Sequence, residues 1–381
     1  MTIDVQIQEF INSKTESEFD SYYVYDSFKI RKHCSVFKSI TYKNKAIHFA
    51  SMANANPDFL QIIKQEKLNI FVNSILHLER TLEAGFSTDE IIFTASGLCK
   101  KIMKQADGYG VQLNIDSPNQ LNQWLELFPD KAIGIRVNIG DKVAPSSGHA
   151  GSFIGKESRL GFTLREIEEI ADKTKIKGLH LYVGTDIFDI DYFIDCYKEL
   201  IALVDGFPKL EYLNFGGGFG ISEDGKEQFD FAQYNSRITE LMNQTSLTKN
   251  KNLKLILEPG RIIGGDAGYF VCCVSDIKSR DEKQLVGVNA STVQFSRPLI
   301  YSDIANHPVG IIRDGIQLSA EELKPTLIYG CSTYSRDIFS KNIQLPELKT
   351  GDVIVFGNAG SYCASSFMEF LGFQKPKEFF V

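Results

Sequence analysis

Two short motifs in this 381-residue chain carry residue types suited to chemistry. GGGFG, Gly216 to Gly220, follows the apolar run LEYLNF, and successive glycines let backbone N–H groups approach an anion without interference from Cβ. A tight turn between a strand and a helix would call for glycine equally. EPGR, Glu258 to Arg261, ends the next apolar run, LKLILEP. There the proline stops a hydrogen-bonded ladder, the glycine admits an unusual backbone angle, and Glu258 could serve a strand-end ion pair or face a ligand. A glycine-rich loop on the adjacent strand favours the ligand, so the pair of motifs predicts a phosphate beside a carboxylate.

The elements that must position them alternate along the chain. The runs AIHFAS, LNIFVN, EIIFTA, VQLNID, AIGIRVN, GLHLYV, LEYLNFG and LKLILEPG are short, apolar and bounded by polar residues or glycine. Between them lie helical patterns such as PDFLQIIKQ, ILHLERTLEAG, SPNQLNQWLELF, LREIEEIADKT and DIDYFIDCYKELIALVDGF. Eight strands alternating with helices predict an α/β fold, a (β/α)8 TIM barrel over residues 28–265. After residue 266 the strand-like segments GYFVCCVSDIKS, KPTLIYG and GDVIVFGNAG are separated by turns, which predicts a C-terminal antiparallel β domain of residues 266–381 joined by 1–27. Within 1–27, Tyr22 to Asp26 reads as a strand of that domain. The Gly/Ser-rich segment PSSGHAGSFIGKES, residues 145–158, reads as a long loop suited to a mobile lid.

Composition narrows the partners. Lys+Arg 41 against Asp+Glu 48 gives 41 − 48 = −7, the wrong balance for nucleic acid or an anionic membrane as main partner. The longest apolar stretches, such as Tyr269 to Val274, fall far short of the roughly 18 residues of a membrane span. The opening MTIDVQIQEF has no basic start followed by an apolar run, so no secretory signal is expected. Seven cysteines, at 34, 99, 196, 272, 273, 331 and 363, form no C-x-x-C pair and read as reduced thiols of a cytoplasmic protein without a metal site.

The set of segments YYVYD, HFASMANANP, IIFTASG, NIDS, RVN, RLGF, HLYVGT, GGGF, EPGR, RPLIY and GNAGSY resembles, in order and spacing, the alanine-racemase-barrel family of pyridoxal-phosphate decarboxylases. That group includes diaminopimelate, ornithine and carboxynorspermidine decarboxylases. The resemblance implies pyridoxal 5′-phosphate as cofactor, an amino-acid-type substrate, and a homodimer with active sites shared between chains. It implies that Glu258 pairs with the pyridine nitrogen and that the phosphate rests on Gly217, Gly218, Gly260 and Arg261, completed by Tyr362 of GNAGSY. On local sequence Tyr362 could equally be a packed aromatic. His180 matches the family strand, though a histidine there also suits a core. Tyr182 takes the place of the ring-stacking histidine and keeps an aromatic face. Arg297 and Tyr301 of RPLIY match residues that grip a carboxylate on the substrate, so a distal anion is implied.

The chain departs from the family at three places. The Schiff-base lysine position of the first barrel strand holds Met52, and methionine cannot form that bond. Lys43 and Lys45 precede the strand and are not expected to substitute. Two origins fit Met52: a substitution made to trap a ligand, or a natural relative that kept the fold and lost catalysis, as the antizyme inhibitors did among ornithine decarboxylase homologues. The loop that carries a catalytic Cys and a following acid reads GCSTYSRD, with Thr333 and Tyr334 at those positions and Cys331 two residues early. An acidic residue of the second βα segment is replaced near His77.

The function implied is a pyridoxal-phosphate-dependent decarboxylase acting on the α-carboxylate of an amino acid or its conjugate, in a biosynthetic pathway of natural-product or siderophore type and impaired in this chain by Met52. Tyr334 supplies no anion for a distal amine, which disfavours diaminopimelate, ornithine and lysine. A silent homologue acting as a binding or regulatory subunit is the alternative. An amino-acid racemase is disfavoured by Glu258, because the racemases of this fold place an arginine against the ring nitrogen.

Overall fold

The computed structural model describes residues 1–14, 20–144, 153–222, 227–302, 305–319 and 322–381. Most of the expected lid, residues 145–152, lies outside them. The chain forms two compact units, one holding Met1–Ile30 and Ile263–Val381, the other Arg31–Ile221 and Glu227–Ile262.

In chain order the first elements are α1 (Val5–Asn12), β1 (Tyr22–Tyr25), α2 (Ser27–Lys38), β2 (Lys45–Ala50), α3 (Pro57–Gln65), β3 (Asn69–Val72), α4 (Ile75–Glu83) and β4 (Ile91–Thr94). Then come α5 (Lys100–Tyr109), β5 (Gln112–Ile115), α6 (Pro118–Leu127), β6 (Ile133–Asn138), the two-residue β7 (Phe162–Thr163), α7 (Leu164–Glu168), β8 (Ile176–His180), α8 (Ile190–Ile201), β9 (Tyr212–Asn214), α9 (Phe231–Lys249) and β10 (Lys254–Leu257). Strands β2 to β6 and β8 to β10 pair in parallel in the order β5-β4-β3-β2-β10-β9-β8-β6, and β5 pairs with β6 to close the barrel. The expected (β/α)8 barrel is therefore present, with β7 appended to the edge of β6. Local chemistry starts the helices: Asn56 caps α3 by accepting from Asp58 N at 2.8 Å with Pro57 at the first position, and Asp189 caps α8 by accepting from Tyr192 N at 3.1 Å.

Helix α7 is shorter than the pattern LREIEEIADKT suggested. It stops at Glu168, and Asp172 starts a separate 3₁₀ turn by accepting from Thr174 N at 2.9 Å. Likewise α8 ends at Ile201, before the 3₁₀ turn Val204–Gly206.

Register decides what fills the barrel. Partners Ile256–Ala46, Phe71–Ala50, Thr94–Asn114, Asn114–Gly134, Arg136–His180 and His180–Asn214 share one face of the sheet. This face is the interior, because Ile92, Tyr212, Ile256 and Ala46 meet there from β4, β9, β10 and β2. The alternate residues, among them Phe49, Val72, Phe93, Ile115, Val137 and Leu257, are buried on the other face, toward the helices. Tyr212 occupies the interior because its neighbours are glycines. A Cβ on Gly178 would lie 1.8 Å from Tyr212 Cζ, and one on Gly134 would lie 2.0 Å from Tyr212 Oη. The hydroxyl donates to Asn114 Oδ1 at 2.5 Å, and Asn114 Nδ2 donates to Thr94 Oγ1 at 2.8 Å.

The second unit is built on β11 (Gly268–Arg280), β12 (Lys283–Val288), β13 (Val309–Arg313), β14 (Ile316–Gln317), β15 (Lys324–Tyr329), β16 (Ile338–Leu345), β17 (Val353–Phe356) and β18 (Lys377–Phe380). Most pairings are antiparallel, as expected. Two are parallel: β1 with β18, and β12 with β15, because β13 and β14 depart to the other side before the chain returns to β12. The N-terminal strand YYVY pairs with β11 in this unit.

Gly178→Ala is expected to lower stability by about 3 kcal/mol, the cost of overpacking a filled interior. In chemical denaturation the loss should be less than additive with Tyr212→Leu, which removes the clashing ring.

Candidate functional site

The C-terminal ends of the barrel strands bring polar groups together on the interior face. Glu258, one residue beyond β10, is 5% exposed. Its Oε1 accepts from Asn214 Nδ2 at 2.6 Å, and its Oε2 lies 3.2 Å from His180 Nε2. Burial alone would raise the carboxyl pKa. The charge and hydrogen bond of His180, the bond from Asn214 and the charge of His48 outweigh it and hold Glu258 below the usual carboxylate range. His180 is 2% exposed, and its Nδ1 meets no hydrogen-bond partner among the described residues. A fixed buried carboxylate of this kind can hold the proton of a cationic ring nitrogen.

The glycine loop leaves β9 beside this carboxylate. Gly216 adopts φ +64° and its N–H donates to Asn214 Oδ1 at 2.9 Å, while Glu258 N donates to Gly216 O at 2.8 Å. A Cβ on Gly217 would stand 2.4 Å from Glu258 O, and one on Gly218, where φ is +105°, would stand 2.4 Å from Gly184 O. The glycines thus permit close packing of neighbouring loops, as a tight turn requires. They also leave the Gly217 and Gly218 N–H groups without an acceptor among the described residues, which suits an anion. Following Gly260 in EPGR, Arg261 is buried and pairs with Asp186, itself at φ +53°.

On neighbouring strands the polar interior continues. Arg136 of β6 stands in register with His180, and its guanidinium carbon lies 5.9 Å from the centre of the Tyr182 ring. Phe153 meets that ring edge-on at 4.9 Å. Burial draws the Arg136 pKa down against the opposing charges of Asp116 and Glu258. Asp116, just past β5, accepts from Ser96 Oγ and from Gln120 Nε2 at 2.8 Å. On β2, His48 places Nδ1 3.2 Å from Ile70 O, and burial brings its pKa down to about 4. Met52 lies in the turn two residues past β2 and is half-buried; in the same turn Ser51 Oγ is 3.5 Å from His77 Nδ1. The barrel strands hold three lysines, Lys45, Lys177 and Lys254, at the first or second residue of β2, β8 and β10, the end opposite Met52.

The β unit holds the other expected site residues. Arg297 is 4% exposed, with Nη1 3.3 Å from His307 Nε2, while His307 Nδ1 is 2.8 Å from Gly357 O. Tyr301, one helical turn on, is 44% exposed. In GCSTYSRD, Asp337 accepts from Thr292 N at 2.6 Å and Ser332 N at 3.1 Å, which shapes the loop; Thr333 and Cys331 are exposed, and Tyr334 meets Phe370 edge-on at 5.5 Å. Tyr362 adopts φ +57°, following Gly360, whose absent Cβ would lie 1.8 Å from Gly264 O. No disulfide joins the cysteines.

Sequence reading had singled out Glu258, His180, Tyr182 and the glycines, which the barrel gathers at one end. It passed over Asn214, Arg136, Asp116, Asp186 and His48. The signal was there for four of them, as polar residues at every second position of apolar strands, IHF, NID, IRV and LNF.

The description "pyridoxal-dependent decarboxylase, pyridoxal binding domain" matches residues 28–265. Diaminopimelate decarboxylase of Methanothermobacter thermautotrophicus is 27% identical over 376 residues, covering 94% of this chain and 86% of the relative. That of Escherichia coli K12 is 24% identical over 364 residues, covering 90% and 84%. Among solved structures, Helicobacter pylori diaminopimelate decarboxylase complexed with L-lysine aligns with a TM-score of 0.83 at 23% identity, covering 98% of this chain and 94% of that one. The lysine/ornithine decarboxylase of Vibrio vulnificus complexed with putrescine aligns with a TM-score of 0.83 at 19% identity, covering 100% and 99%.

The buried His48 makes the barrel sensitive to acid. Its folded pKa, about 4, lies below the ordinary histidine value of 6.5, so its contribution is complete above pH 6.5 and is lost as the pH falls toward 4. The loss should approach about 3 kcal/mol. Denaturant unfolding between pH 7 and pH 4 should show a shallower decline in His48→Gln than in the parent chain; equal slopes would contradict this.

Proposed function

Because the chain belongs to the pyridoxal-dependent decarboxylase family, we propose that it holds pyridoxal 5′-phosphate at the C-terminal end of the barrel and acts on the α-carboxylate of an amino acid or amino-acid conjugate. The observation that carries this reading is the buried Glu258 carboxylate, fixed by Asn214 and His180 beside the open N–H groups of Gly217 and Gly218. These residues fit the ring and the phosphate. The strand ends do not supply the covalent anchor, since Met52 has no amine.

When bound, pyridoxal phosphate supplies an electron sink for the pair released at Cα. Glu258 keeps the proton on the ring nitrogen, and Asn214 and His180 hold Glu258 in place. Gly217 and Gly218 donate backbone N–H groups to the phosphate, with Gly260 and the Arg261 guanidinium beside it. His180 and Tyr182 offer faces to the ring. Met52 can neither bond to an aldehyde nor carry a proton, and a Thr333 hydroxyl is too weak an acid at neutral pH to replace the family's thiol. Turnover is therefore impaired.

Arg297 and Tyr301 are assigned to a distal anion on the substrate, and Tyr362 to the phosphate, on the motif match. Tyr334 offers no carboxylate to a distal amine, so we infer a substrate other than the diaminopimelate named for the relatives, in a biosynthetic pathway of natural-product type. A second reading, a silent subunit that binds without turning over, is favoured by the three barrel-strand lysines lying at the far end. A carboxylate in the Glu258 position counts against a racemase.

Met52→Lys separates the readings. With pyridoxal phosphate it should gain a new near-visible absorption band absent from the parent chain, and carbon dioxide release from an accepted amino acid would mark a decarboxylase. A band without carbon dioxide from any amino acid offered supports the silent subunit. Glu258→Gln should weaken cofactor binding at least tenfold, the loss of a charged hydrogen bond. No cofactor bound by either the parent or Met52→Lys would sink both readings.

A further inference from the structure

Arg136 has no part in the cofactor contacts above. It faces the barrel interior from β6, in register with His180, with its guanidinium carbon 5.9 Å from the centre of the Tyr182 ring. Its Nη2 is buried and meets no hydrogen-bond partner among the described residues. Asp116 is the first of the anions that act on it, but both Asp116 oxygens are engaged, one by Ser96 Oγ and one by Gln120 Nε2. Glu258 also acts on it, yet its oxygens are taken by Asn214 and His180. A buried guanidinium donor left open costs on the order of 1–3 kcal/mol, which an arriving carboxylate would recover.

The lysines supply the second observation. Lys45 and Ala50 are the two ends of β2, and five steps along a strand are about 17 Å, well beyond the reach of a lysine side chain. Lys254 opens β10 and Lys177 is second in β8, at the same far end. An aldehyde entering beside Glu258 meets no strand amine with which to form, and later exchange, an imine. The strand ends thus lack the exchange route from a lysine imine, and a conjugate already bonded to the phosphopyridoxyl group needs none.

We propose that the barrel binds a preformed conjugate of a phosphopyridoxyl group with an amino acid, the phosphate on the Gly217 and Gly218 N–H groups and the amino acid's carboxylate on Arg136. It rests on the reading of Gly217, Gly218 and Glu258 as the cofactor seat. The carbon–nitrogen bond of the conjugate is made in solution, where aldehyde and amine condense with loss of one water, and the protein makes no bond. A carboxylate stabilised by guanidinium before reaction is harder to expel as carbon dioxide, so Arg136 serves retention of the conjugate.

The test uses the full chain and three hydrolysis-proof probes in equilibrium binding: pyridoxamine 5′-phosphate, N-phosphopyridoxyl-alanine, and the N-phosphopyridoxyl-ethylamine that lacks only the carboxylate. The alanine conjugate should bind at least about tenfold more tightly than the ethylamine one. Arg136→Met should erase that difference and leave pyridoxamine phosphate affinity within about twofold; Arg136→Gln gives the same reading if the methionine variant does not fold. Equal affinity for the two conjugates in the parent chain, or an equal loss for all three probes in the variants, overturns the assignment of Arg136. Failure of all three probes to bind the parent chain defeats the cofactor seat itself.

Discussion

Closing eight parallel strands into a barrel obliges every second residue to point into a space with no room for water-exposed side chains. In this chain much of that interior row is polar: His48, Asn114, Arg136, His180, Asn214 and, one step past its strand, Glu258. Each must find a partner inside or leave a buried group unsatisfied. The partners are mutual. Asn214 serves Glu258 with its amide hydrogens and Gly216 with its oxygen; Asn114 serves Thr94 and Tyr212 in the same way. In the lower layer Tyr212 fills the space that two glycines vacate. Among the described residues the upper layer is incomplete at defined points: Nδ1 of His180, Nη2 of Arg136, and the N–H groups of Gly217 and Gly218. A ligand with an anion at each end and a nitrogen-bearing ring between them matches that pattern.

The architecture was legible because period-two apolar runs and helical patterns alternate with little ambiguity, and YYVY was legible as a strand that pairs with the later β segments. The lengths of α7 and α8 were not, because Asp172 and the turn at Val204–Gly206 redirect a helical pattern through local hydrogen bonds that periodicity does not reveal. Two parallel pairings in the β unit escaped for a similar reason: pairing depends on where the chain returns, not on the strand's own residues. Within the candidate site, glycines and Glu258 stood out as motifs. Arg136 and Asn214 sat inside strands read as simply apolar, and only the closed barrel makes their side of the sheet an interior. Asp186 lies in a loop at positive φ, and nothing in its neighbours marks it as the partner of Arg261.

Met52 gives the site its character. The carboxylate, its two supporters and the first glycine of the loop are tied to one another by contacts in which no lysine takes part. What is missing is an amine at the strand end, and the barrel's own strands offer none within reach. A thioether beside an aldehyde carbon is inert, so affinity must come from charge, hydrogen bonds and ring contact.

On this reading the barrel holds a phosphopyridoxyl ligand without a covalent bond to it. One equivalent of pyridoxal phosphate, bound to the parent chain under native conditions and then treated with borohydride, tests this by intact mass after unfolding. The expected result is a ligand retained in the native protein and a chain of unmodified mass. A phosphopyridoxyl group fixed to a barrel lysine would contradict it.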